Sequence, residues 1–148
     1  MNHQQFTISK PNPSDYNELT AVWEASVRAT HHFLSESDFY KLKPLVRNEY
    51  LKNVELCCIR DEKKNIAAFI GLSNDKVEML FVRPDTRGMG LGKQLLTYAI
   101  NFKRIKYVDV NEQNTQALAF YEHYGFKFVS RDAVDAMGKP YPIVHLSL

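Results

Sequence analysis

At 148 residues the chain is the size of one ordinary domain, and its 45% hydrophobic content is enough for a single sizeable core. Charged residues make up 24% and the formal net charge is +2, which excludes a mainly disordered chain and offers no concentrated basic stripe for nucleic acid. The two cysteines, Cys57 and Cys58, are adjacent, so no disulfide framework or metal-ligand spacing is available. With no apolar run long enough to span a bilayer and no apolar signal core in residues 1–5, the expectation is a cytoplasmic protein with no membrane partner.

Residues 6–10 alternate apolar and polar, as a short strand does, and Pro11-Asn12-Pro13-Ser14 breaks them. Ser14 or Asp15 then caps a helix whose apolar face is Leu19, Val22, Trp23, Ser26 and Val27. A connector at 30–35 leads to a second helix, which opens at Ser35 and Asp38 and carries Phe39, Leu42, Leu45, Val46 and Tyr50. The period then changes to two. Strands are expected at 54–60, 66–73 and 76–83, joined by a turn at 61–65 and a tight Asn74-Asp75 turn, until Pro84 stops the meander. A helix over 91–102, a strand over 106–110, a helix over 114–124 ended by Gly125, and strands over 126–130 and 141–148 complete the chain. A meander followed by alternating strands and helices implies an α/β (α+β) fold: one domain over 1–148, with a mixed sheet and helices on both faces.

The chemistry concentrates where strand 76–83 gives way to the helix at 91. Arg87-Gly88-Met89-Gly90-Leu91-Gly92 lies between them. A helix N-terminus exposes backbone N–H groups and the positive end of the dipole, and glycines let the chain curl around an anion. Together they make a pyrophosphate cradle. The nucleotide-triphosphate loop fails, because Gly92-Lys93 is followed by Gln94; the dinucleotide fingerprint fails because its last glycine falls on Lys93 or Leu95. The pattern that fits is Arg/Gln-x-x-Gly-x-Gly/Ala, met by Arg87, Gly90 and Gly92.

This loop, with the preceding Leu80-Phe81-Val82-Arg83-Pro84, resembles the acetyl-CoA-binding motif of the GNAT superfamily of N-acetyltransferases. Downstream, Asn114-Thr115-Gln116-Ala117 through Tyr121 to Gly125-Phe126 resembles that superfamily's second motif. The flanks Ala29-Thr30-His31-His32-Phe33-Leu34 and Gly138-Lys139-Pro140-Tyr141-Pro142 are similar to its bacterial YjaB-like branch. The resemblance implies a mixed, mostly antiparallel GNAT-like sheet and transfer of an acetyl group from acetyl-CoA to a primary amine, small or on a protein, with no metal. Direct attack in a ternary complex is expected, since neither cysteine has an acid–base partner.

It also implies roles. Leu80 N–H polarises the thioester carbonyl and Val82 pairs with the pantetheine arm, with Phe81 between them. Arg87, Gly88, Met89, Gly90, Leu91, Gly92 and Lys93 hold the phosphates, and Tyr121 protonates the departing thiolate. Asn114 caps its helix and reaches the cofactor arm. Glu78, two residues before Leu80, is expected on the same strand face, as a base acting through water. His31, His32, Phe33 and Tyr141 are candidates for the acceptor side, with a histidine ionising near the reference value of about 6.5. A non-catalytic acyl-CoA-binding module is the alternative, but it needs neither Tyr121 nor Glu78. Oligomeric state, a homodimer included, and the acceptor's identity are left open.

Overall fold

A computed structural model of the chain describes residues 7–148. Phe6 of the first expected strand, and the segment 1–5 read above for a signal core, lie outside the described residues. The elements are β1 (Ile8–Ser9), α1 (Tyr16–Thr30), α2 (Glu36–Leu45), β2 (Glu55–Arg60), β3 (Ile66–Ser73) and β4 (Lys76–Val82), followed by α3 (Leu91–Lys103), β5 (Tyr107–Asn111), α4 (Thr115–His123), β6 (Lys127–Asp132) and β7 (Ile143–Ser147).

The strands form a seven-stranded sheet in the order β1-β2-β3-β4-β5-β7-β6. Every pairing is antiparallel except β4 with β5. β3 is buried along nearly its whole length, as a central strand covered on both faces must be. One face packs Leu91, Leu95, Leu96 and Ala99 of α3 and Tyr121 of α4 over Ile59, Ile70, Val77 and Val108. The other packs Leu19, Trp23 and Val27 of α1 and Phe39 of α2 over Phe69 and Met79. Trp23 stacks on Phe39 with ring centroids 5.3 Å apart. Cys57 belongs to the first cluster and Cys58 to the second, as neighbours in a strand should, and both thiols are free. Burial pushes both thiols up, which fits their exclusion as nucleophiles.

The second helix is shorter than its apolar pattern suggests. Ser35 caps it, accepting from Asp38 N–H at 3.1 Å, but after Leu45 the chain widens into a π-turn (Val46–Tyr50) and then a 3-10 turn (Leu51–Asn53). Pro44 lies just before the change, and a proline there removes a helical N–H.

β4 departs from regular alternation. Gly71 pairs with Met79 and Leu72 with Val77, so Glu78 is the extra residue of a bulge. Val77 and Leu80 pack toward α3, whereas Met79 and Phe81 pack toward α1. β4 and β5 pair only at Lys76↔Tyr107 and Val77↔Val108. Beyond the bulge the two parallel strands separate, and that gap holds the site.

Candidate active site

Arg83, just past β4, donates its N–H to Ala67 C=O at 2.7 Å. In an antiparallel ladder bonded pairs alternate, so Phe81↔Phe69 is the next bonded pair. The N–H and C=O groups of Leu80 and Val82 therefore point away from β3, into the gap opposite β5. Beyond them Arg83 anchors the strand end, pairing with Asp61 at 2.9 Å and Asp85 at 2.5 Å. Buried Thr86 closes the following turn by donating to Arg83 C=O at 2.8 Å.

α3 begins at Gly90 with φ +77°, in the left-handed region, and Gly88 has φ +80°. Among the described residues a Cβ at either glycine would meet nothing within 4 Å, so backbone conformation rather than crowding selects glycine at both. Among the described residues no side chain caps α3, and no acidic residue occupies its first turn. Its first N–H groups are thus presented to an anion.

A cleft of about 440 Å³ runs from this helix end, along Leu80, Phe81 and Val82, past Phe120, Tyr121 and Tyr124 of α4, to Ser26, Thr30 and His31 at the end of α1. Arg87 and Lys93 line it, and no aspartate or glutamate does. The α3 end therefore carries two cations and the positive end of a helix dipole. The other end abuts the C-terminus of α1, the negative end of a dipole. This polarity suits a polyanion at one end and an ammonium-derived group at the other.

Tyr121 is 6% exposed, its hydroxyl has no protein partner among the described residues, and burial pushes its pKa well above the usual phenol value. It keeps its proton. Asn114 caps α4 by accepting from Ala117 N–H at 3.2 Å, which leaves its amide NH₂ beside the cleft. His31 follows the last turn of α1, and its Nδ1 lies 2.7 Å from Thr30 Oγ1. Burial, with a smaller contribution from His32, lowers its pKa to about 4 rather than the reference 6.5 expected from sequence. The ring is neutral near pH 7.

The cleft brings together Leu80, Phe81, Val82, Arg87, Gly88, Gly90, Leu91, Gly92, Lys93, Asn114, Tyr121 and His31 of the expected residues. The others lie elsewhere. Met89 turns its side chain outward, 47% exposed. His32 and Phe33 line smaller pockets outside the cleft. The Tyr141 hydroxyl donates to Asp38 and accepts from Ser35 N–H at 3.4 Å, tying the β6–β7 loop to α2. Its ring is 6.1 Å from Phe33, which in turn is 5.1 Å from His31, so it buttresses the connector from outside.

Glu78 corrects the expectation that it shares a face with Leu80. It accepts from Ser73 Oγ at 3.1 Å and lies 3.8 Å from Lys76 Nζ, which itself pairs with Asp109. The bulge turns it to the α1 side, away from Leu80, and it does not line the cleft. Sequence reasoning missed Ser26, Thr30, Thr86, Gln116, Ala117, Phe120 and Tyr124. Ala117 and Tyr124 sit four and three residues from Tyr121, so helical spacing could have found them; Ser26 and Thr30 follow only from the packing of α1 across the gap. One buried side-chain oxygen among the described residues has no partner: Asn111 Oδ1, at the end of β5 where the strands have parted.

The splayed strands β4 and β5, the glycine-led start of α3 and the cations Arg87 and Lys93 together present a cleft suited to a phosphate-bearing ligand. The family model of the acetyltransferase (GNAT) domain matches residues 24–138. The chain is 38% identical over 141 residues to the peptidyl-lysine N-acetyltransferase YjaB of Escherichia coli K12, covering 95% of each chain. It is 37% identical over 139 residues to that of Salmonella typhimurium, covering 94% of this chain and 95% of the relative. The solution structure of apo-form YjaB from Escherichia coli superposes with a TM-score of 0.88, at 37% identity and 97% coverage of both chains. A PaiA N-acetyltransferase from Thermoplasma acidophilum in complex with coenzyme A shares the fold, with a TM-score of 0.75 at 19% identity, covering 98% of this chain and 100% of the other. The chain belongs to the acetyltransferase (GNAT) family, whose members use acetyl-CoA, and it is an N-acetyltransferase.

Proposed function

We propose that this enzyme acetylates lysine side chains of proteins or peptides, by direct attack of the lysine amine on acetyl-CoA bound in the same cleft. The observation that carries the reading is the polarity of the cleft: Arg87, Lys93 and the α3 N-terminus at one end, neutral His31 at the other, and no carboxylate between. Two further pockets at the His31-His32 connector, one lined by Leu34 and Glu36 and the other by Phe33 and Gln113, give room for peptide flanking the lysine. The relatives named above are peptidyl-lysine N-acetyltransferases, which supports the same acceptor class.

The bound thioester supplies an activated acetyl carbon. The chain's residues do the rest. Backbone N–H groups of Gly88 to Lys93, with Arg87, hold the phosphates. Leu80 N–H stabilises the oxygen on which charge develops, and Val82 and Asn114 align the arm. His31 accepts a proton from the amine nitrogen as the C–N bond forms. Tyr121 donates its proton to sulfur as the C–S bond breaks.

The test is coenzyme A release from acetyl-CoA with a panel of lysine peptides, N-terminal amines and polyamines. The highest kcat/KM is expected with the lysine peptides. Turnover confined to small amines would reassign the acceptor, and saturable acetyl-CoA binding with no turnover on any amine would leave only a binding module.

A further inference from the structure

At the end of α1 two hydrogen bonds meet at one hydroxyl. Thr30 Oγ1 lies 2.7 Å from Ser26 C=O and 2.7 Å from His31 Nδ1. A threonine hydroxyl has one proton, and a carbonyl oxygen has none to give. The hydroxyl proton therefore goes to Ser26, as is usual for a threonine bonding back along its own helix. The contact with His31 then needs a proton from the ring, and only Nδ1–H can supply it.

We propose that Thr30 is a positioning residue for acceptor-side proton transfer: it locks His31 in the Nδ1–H tautomer and leaves Nε2 as the ring's bare, proton-accepting nitrogen. The proposal rests on the reading of His31 as the group that takes the amine's proton. In water a neutral histidine favours the opposite tautomer, whose Nε2–H would set a donor against the N–H of the incoming amine. Thr30 inverts that preference with one oxygen. As the C–N bond forms, the amine proton moves to Nε2, and Nδ1–H stays on Thr30 throughout, now a charge-assisted bond. The groups around the ring leave it neutral at the start: His32 beside it, Arg28 and Glu36 paired with each other at 3.0 Å across the neighbouring pocket, and Arg87 and Lys93 on the cleft side.

The test uses the full chain with ¹⁵N-labelled histidine. Two-bond ¹H–¹⁵N correlation spectra near neutral pH report which nitrogen of each ring carries the proton, and His31→Asn assigns the His31 signals. Wild type and Thr30→Ser, which keeps the hydroxyl, are expected to show His31 protonated at Nδ1. Thr30→Val is expected to shift His31 toward Nε2–H and to lower kcat/KM for a lysine peptide by about tenfold or more, while the Kd for acetyl-CoA stays within about twofold. Wild-type His31 protonated at Nε2 overturns the proposal with no variant needed. Thr30→Val that keeps Nδ1–H, or that switches tautomer with acceptor kinetics intact, overturns it as well. His31→Asn with undiminished acceptor kinetics would remove the proton-transfer reading itself, and the wild-type spectrum still decides the tautomer separately.

Discussion

On the proposed mechanism the α3 end of the cleft holds its ligand through main-chain N–H groups, of Gly88 to Lys93 and of Leu80, beside the Arg87 and Lys93 side chains, and the α1 end acts through a side chain, His31 held by Thr30. The first set is fixed as soon as β4, the left-handed glycines and α3 form. The second depends on α1 packing across the gap between β4 and β5. A backbone site tolerates many side-chain changes but no change of path. A side-chain site is retuned by single substitutions. This division lets one donor site serve with many acceptors.

Tyr121 lies between the two ends, and its substitution separates them most strongly. Tyr121→Phe keeps the ring packing against Phe120 and Phe126 and removes the proton. The expected result is a fall in kcat of about 10²-fold, the low end for general acid catalysis because a thiolate already leaves well. The Kd for acetyl-CoA should stay within about twofold. Stopped-flow measurement of the chemical step checks it, and an unchanged rate there would take the role from Tyr121.

The acceptor end should also register in acid stability. His31 has a folded pKa depressed to about 4 by burial, below the unfolded value of 6.5. Its contribution is fully present above 6.5. As pH falls from there toward 4, the unfolded chain takes up a proton that the folded one refuses, and stability is lost. The loss is on the order of 2–3 kcal/mol at pH 4. His145 titrates with the opposite sign: contacts to Asp132 and Asp109 raise its pKa, so its contribution grows as pH falls. Urea titrations of wild type and His31→Asn between pH 7 and pH 4 isolate the first effect; the variant should lose less stability. Parallel curves would mean that the ring is solvated in the folded state.

Gly90→Val tests the backbone end. With nothing among the described residues within 4 Å of the new Cβ, the cost comes from a β-branched residue at φ +77° and from side chain standing where phosphate must approach. Acetyl-CoA affinity is expected to fall at least about tenfold, roughly 1.4 kcal/mol. Calorimetry on the folded variant measures it, and an unaltered Kd would separate the loop from phosphate binding.

The same division explains what was legible in the sequence. Gly88 and Gly90 sit where the backbone needs positive φ, so the donor site left its mark as spacing. The antiparallel meander β2 to β4 followed from period-two runs broken by Asn74-Asp75 and Pro84. The bulge at Glu78 was hidden, because one inserted residue leaves the apolar pattern of β4 readable as plain alternation. His31 and His32 are neighbours of one type, and only the turn ending α1 sends the first into the cleft and the second to the surface. Tyr141, which the resemblance puts on the acceptor side, has its hydroxyl committed to Asp38, more than a hundred residues away in sequence.

Glu78 is the sharpest remaining probe of the comparison, because it sits on β4, the donor strand, but turns toward the acceptor face. Its carboxylate is exposed, held by Ser73 Oγ and near Lys76, and absent from the cleft lining. An exposed pair of this kind contributes little to stability, within about 1 kcal/mol. If acceptor-side chemistry resides in His31, Glu78→Gln should change kcat/KM for the lysine peptide by no more than about threefold, far below the usual effect of removing a general base. The acid limb of the kcat/KM profile should persist near pH 4, where His31 ionises, and should vanish only in His31→Asn. His32→Ala, on the surface side of the connector, should match Glu78→Gln in size. A loss of about a hundredfold in Glu78→Gln, together with disappearance of the acid limb, would instead place the base on β4, acting through water across the gap. Donor strand and acceptor base would then be a single element, and the separation between backbone and side-chain ends would fail at its centre.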